Sequence, residues 1–213
     1  MSIDDTLPDP ADVERLFIEN VSDGFGVRTW LEERDINPAR IGKAALITYG
    51  FVWNSVTGRY DFTIYPQEHV GPKYCAFAVP VYEGGQFVDL LLIGDDGSFE
   101  TVSCRASWLG RDNINQSTIR LHAHPLNWLQ SGCTGVCHIA SISRAALKEL
   151  VAVQRIECSD IRTAMEAWDW GFGDDEGLSR FWIDDTVGSI RTYFEADARW
   201  RIATIAAIPE AFR

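Results

Sequence analysis

Between residues 75 and 104 the apolar and polar positions fall into three short runs divided by turns. Residues 75–82 are apolar, Gly84-Gly85 interrupts them, 88–93 are apolar again, Asp95-Asp96-Gly97 interrupts those, and 99–104 alternate. Gly-Gly and Asp-Gly are the dipeptides of tight hairpin loops, whose central residues need φ > 0. The pattern predicts a three-stranded antiparallel meander. Before it, Asp9 followed by Pro10 reads as an N-cap and a first-turn proline, and Val13, Leu16, Phe17 and Val21 recur at helical spacing. That helix reaches about residue 21, Gly24 and Gly26 break it, and 29–34 read as a short second helix. Residues 43–53 and 60–65 read as extended, joined by a turn near Thr57-Gly58.

After Gly110 the period changes. Residues 112–117 are a polar loop and 118–121 a short strand, and Pro125 opens a small helix carrying Leu126, Trp128 and Leu129 that Gly132 closes. Residues 136–139 and 155–158 read as extended. Ser143 and Asp160 cap two further helices, the second reaching about Trp168. The expected fold is one α+β domain over residues 1–213. A central antiparallel β-meander has helices packed on it, and the C-terminal half alternates short strands and helices, with a sub-boundary in the loop at 110–117.

Composition changes this picture little; charge changes it more. The chain has 213 residues, 46% hydrophobic and 23% charged, as an ordinary globule does. No apolar run is long enough to span a bilayer, and the acidic, proline-bearing first residues are unlike a secretory signal. Five cysteines at scattered positions (75, 104, 133, 137 and 158) suit reduced thiols. A cytoplasmic protein is expected, with Cys75, Cys104 and Cys158 as small core residues in their apolar runs. The net charge of −12 is uneven: residues 1–37 and 160–197 each carry ten acids against three bases, while 38–159 balance at ten and ten. A nucleic-acid binder needs a basic face to displace counterions, and none is present, so direct nucleic-acid binding is not expected. Acidic flanks suit a protein partner with a basic surface, or simply solubility.

Two groups of residues hold candidate chemistry. His122, His124, Cys133 and Cys137, with His138, fall within seventeen residues and are the ligand types zinc takes. The spacing is no standard knuckle, and Cys137 and His138 would face opposite ways on a strand. Cys133, between Gly132 and Gly135, also reads as a thiol nucleophile with a histidine base, or as a plain buried thiol. The second group lies in the C-terminal half. Trp168, Trp170, Phe172, Phe181 and Trp182 are interleaved with Asp174, Asp175, Glu176, Asp184 and Asp185. Trp is a favoured interface anchor, and carboxylates beside it suit a basic partner. The same rings would equally serve a core. The acids do not alternate as in an EF-hand. Phosphate-binding Gly-rich loops and the Gly-x-Ser-x-Gly elbow are missing from the sequence.

The run Val79-Pro-Val-Tyr-Glu-Gly-Gly-Gln-Phe-Val-Asp-Leu followed by Gly94-Asp-Asp-Gly resembles the hairpin segment that precedes the Toprim domain of mobile-element primases. The longer stretch 79–138, with Trp108-Leu-Gly and His124-Pro-Leu-Asn-Trp-Leu-Gln-Ser-Gly-Cys-x-Gly, resembles uncharacterised bacterial proteins of prophage-like regions. The resemblance implies phage or mobile-element biology. It carries over no catalytic residue, because a Toprim centre needs a strand-end Glu and an Asp-x-Asp that the chain lacks. Three readings follow: a non-catalytic binder of a basic protein, of the inhibitor or immunity type, acting through 168–185; a metal- or thiol-dependent enzyme centred on His122, His124, Cys133 and Cys137; and a structural subunit of a phage-like assembly.

Overall fold

A run of consecutive apolar residues such as 90–93 suits a strand covered on both faces, and the structure shows why this one exists. It is a computed structural model and describes residues 9–20, 25–41, 51–54, 59–62, 76–94, 96–140, 144–171, 179–183 and 188–189. The fold is mixed α+β, a β-sheet core flanked by helices and followed by a C-terminal region that alternates short strands and helices. The chain forms two compact units, one of residues 1–114 and 124–143, the other of 115–123 and 144–213.

In the first unit the meander is β3 (Ala76–Glu83), β4 (Gln86–Gly94) and β5 (Phe99–Thr101), following a separate hairpin of β1 (Phe51–Asn54) and β2 (Arg59–Phe62). Its strands pair antiparallel in the order β3-β4-β5, and Pro80 sits on the edge strand, where a missing N–H is tolerated. One face, with Phe77, Val79, Val81, Leu91 and Ile93, packs with Trp30, Leu31, Leu109, Trp128 and Leu129. The other, with Ala78, Leu90 and Leu92, is covered by Val13 and Phe17 of helix α1 (Pro10–Asn20). Asp9 opens α1 as expected, its carboxylate accepting from Ala11 N–H at 2.9 Å. Leu16 and Val21 lie outside the described side chains, as do residues 42–50 and 63–75.

Two local expectations are corrected. Helix α2 (Phe25–Glu33) begins earlier than residue 29 and takes in Gly26, because burying Trp30 and Leu31 outweighs the propensity cost of one glycine near the helix start. The second meander turn falls between β4 and β5 as expected, with Gly94 N–H donating to Ser98 O at 2.8 Å and Gly97 N–H to Gly94 O at 3.0 Å. The Gly84-Gly85 turn joins β3 to β4 as expected, with φ of 58° and 76°. Finally, β5 ends at Thr101, and Cys104 is exposed with φ 55° rather than a core residue. The cause is Asp89.

Asp89 is fully buried on β4, beside a bulge in the β3–β4 ladder. Its Oδ1 accepts from Leu90 N–H (2.8 Å) and Ser103 N–H (2.9 Å), and its Oδ2 from Arg105 N–H (2.8 Å) and Ala106 N–H (3.1 Å). A carboxylate offering four acceptor sites draws these amides inward and ends the strand. The chain then enters β6 (Trp108–Leu109), which pairs antiparallel with β8 (Val136–His138). Helix α3 (Pro38–Ile41) and helix α4 (Pro125–Gln130) complete this unit.

The second unit holds β7 (Thr118–His122), β9 (Arg155–Cys158) and β10 (Phe181–Ile183) in parallel, with β11 (Gly188–Ser189) antiparallel at the β10 edge. Parallel neighbours need a crossover, which helix α6 (Ile161–Gly171) provides between β9 and β10. Helix α5 (Arg144–Leu147) and a 3-10 turn (Lys148–Ala152) precede β9. Ile119, Leu121, Ile156, Cys158 and Phe181 point to the core with Leu150, Ala164 and Ala167.

Candidate functional site

The His/Cys residues are placed by helix capping and strand pairing. His124 is the N-cap of α4, with an extended backbone, and its Nδ1 accepts from Leu126 N–H at 3.1 Å. Its Nε2 lies 2.8 Å from Gly97 O, so the neutral ring protonated at Nε2 satisfies both bonds. Both nitrogens are therefore occupied by backbone. Cys133 follows the helix with φ 61°, its N–H donating to Trp128 O at 3.0 Å. Burial pushes its thiol up to about 11, the opposite of what a nucleophile needs. Cys137 is buried on β8 and burial raises its thiol further. His138 packs its ring edge-on to Trp108, 4.9 Å between centroids, and burial lowers its pKa. His122 is buried on β7. Among the described residues no group of three or more His, Cys, Asp or Glu side chains gathers to hold a metal ion.

The motifs around these residues instead build a pocket in the first unit. Pro80, Val81 and Tyr82 of β3 form one wall, and Leu109, Trp128 and Cys133 the other, around a volume of about 170 Å³. Gly110 also lines it with φ 69°, where a Cβ would run into Gly135 O and press on the Trp128 indole nitrogen. That carbonyl accepts from Trp128 Nε1 (3.2 Å) and Asn113 Nδ2 (2.8 Å), which fixes the indole. Beside the pocket Glu83 pairs with Arg111, and Asp112 Oδ1 accepts from Gly84 N–H at 2.8 Å, tying the β3 end to the turn after β6. Sequence reasoning found Cys133 but not Tyr82, Gly110 or Trp128 as its neighbours. Only the recurrence of Gly110, Gly132 and Gly135 near it signalled a crowded backbone.

In the second unit the candidate interface residues divide. Trp168 is half-buried and Asp169 exposed on α6, and Trp170 lies on the same helix. Phe172, Asp174, Asp175, Glu176, Asp184 and Asp185 fall outside the described residues. Trp182 is half-buried on β10, opposite Glu157 on β9, which in turn is opposite Arg120 on β7. This row lies on the sheet face away from Ile119, Ile156 and Phe181. The Arg155 guanidinium lies 4.2 Å from the Trp182 ring centroid and its Nε donates to Glu157 Oε1 at 2.9 Å. A cation is thus held between an aromatic face and a carboxylate. Arg155 and Glu157 were missed in the sequence, although the polar–apolar alternation of Arg-Ile-Glu-Cys was the available signal.

No helix among the described residues is long and apolar enough to cross a membrane. No protein-family model, curated protein or solved structure matches the chain.

Proposed function

We propose that this chain is a non-catalytic protein that binds a protein partner with a basic surface, acting through the acidic, aromatic segment 168–185. The observation that carries the reading is the Arg155–Trp182–Glu157 arrangement. Trp182 takes a guanidinium on its ring beside a carboxylate, and Asp184 and Asp185 follow after Ile183 in the sequence. A partner's arginine needs the same surroundings: a ring face, a nearby carboxylate and a local excess of acids. With ten acids against three bases over 160–197, the segment complements a nucleic-acid-binding surface on another protein. An inhibitor or immunity-like role fits this charge, and the resemblance of 79–138 to prophage-region proteins supports a mobile-element setting.

The test uses the partner captured from the native host after nuclease treatment. Trp182→Ala removes the ring and is expected to weaken binding at least tenfold. Arg155→Ala empties the ring face and is expected to leave binding intact or tighten it. Equal binding by wild type and Trp182→Ala, with both proteins folded, would overturn the reading.

A further inference from the structure

We propose that the pocket between β3 and the end of α4 binds a single uncharged aromatic ring, presented by a free small molecule of about the size of indole or phenol. This goes beyond the partner-binding reading and rests on other residues in the other unit. Size is the first argument. The pocket holds about 170 Å³, and an apolar cavity of about 150 Å³ is known to admit benzene. Lining is the second. Pro80, Val81 and Leu109 give apolar contact, and no charged side chain lines the space to replace the hydration of a charged ligand. Trp128 supplies a ring and Cys133 a polarizable sulfur, groups that favour an aromatic guest over an aliphatic one.

Preorganisation is the third argument. The Glu83–Arg111 pair and the Gly84–Asp112 bond hold the β3 end in place, and the Gly135 carbonyl holds the Trp128 indole. Walls fixed before binding spend little of the contact energy on ordering. Cys133, in the lining, is only half-buried, so the space is open to ligand.

The test follows alkylation of Cys133 by iodoacetamide, resolved by peptide mass spectrometry, while indole and phenol are titrated. Cys104 is exposed and lies outside the pocket lining, so it is the control in the same sample. A ligand at ten times its Kd leaves roughly one site in ten free, so Cys133 should react about tenfold more slowly while Cys104 is unchanged. Cys133→Met, which fills the space, should abolish the rise in Tm that indole gives wild type. Absence of saturable protection up to the solubility limit of indole overturns the proposal. Equal protection by cyclohexanol overturns the aromatic assignment. Protection by a tryptophan-bearing peptide but not by free indole or phenol assigns the pocket to a protein partner and overturns the small-molecule reading.

Discussion

At the residue scale, the most consequential side chain is one that candidate chemistry passed over. Asp89 sits in an apolar run and reads as a strand residue, yet its carboxylate gathers four backbone amides while fully buried. Asp89→Ala strands those amides and should lower stability by about 3 kcal/mol or more, measured by urea unfolding. Asp89→Asn keeps one oxygen but turns an NH₂ toward two donors, so it should be only partly better. Near-wild-type stability of the Ala variant would show that the amides find other acceptors. Gly110→Ala should also destabilise, by about 2–4 kcal/mol, because φ 69° strains an L side chain and the Cβ meets the Gly135 carbonyl. Neither role was legible, since each depends on segments far apart in the chain. The cap by His124 was hidden for a different reason: histidine is an uncommon N-cap, and its neighbours drew attention to metal instead.

At the element scale, what local chemistry controls was readable and what tertiary contacts control was not. The Gly84-Gly85 turn, the Pro125 helix start and its closure at Gly132 follow from backbone preferences within a few residues. The start of α2 and the end of β5 follow from Trp30 and Asp89, whose partners lie elsewhere. The parallel order of β7, β9 and β10 had no local signal, because strand direction is set by the crossover rather than by the strand sequence. Helix α6 offers a test at this scale. Burial draws the Asp160 carboxyl upward, but the Thr163 N–H and the Ser159 and Thr163 hydroxyls outweigh it and hold it below the ordinary range. A depressed folded pKa gives stability that is present above the unfolded value of 3.8 and lost as pH falls through the folded one. Asp160→Ala should therefore cost about 1 kcal/mol near neutral pH, as N-caps do, and the gap should close in strong acid. A gap independent of pH would assign the loss to something other than the ionised cap.

At the scale of the whole molecule, burial and charge act on stability and binding separately. Burial raises the thiols of Cys133, Cys137 and Cys158 above the unfolded value of 9.0, with Asp160 adding to the effect at Cys158. Raised folded pKa values give stability that is complete below that pH and is lost as the unfolded thiols ionise above it. Tm should fall between pH 8 and pH 10.5, and Cys158→Ala should flatten that fall while lowering Tm at pH 8; an unchanged slope would show the thiol is not involved. Charge was the part of the functional reading most legible in the sequence, because an uneven distribution of acids can be counted without a fold. The most direct measurement compares partner capture by wild type and by the Asp174→Lys, Asp175→Lys, Asp184→Lys, Asp185→Lys variant, with Tm recorded for both. Loss of a basic partner by the variant at unchanged Tm is the predicted result. Equal capture by the two proteins would contradict binding through this segment.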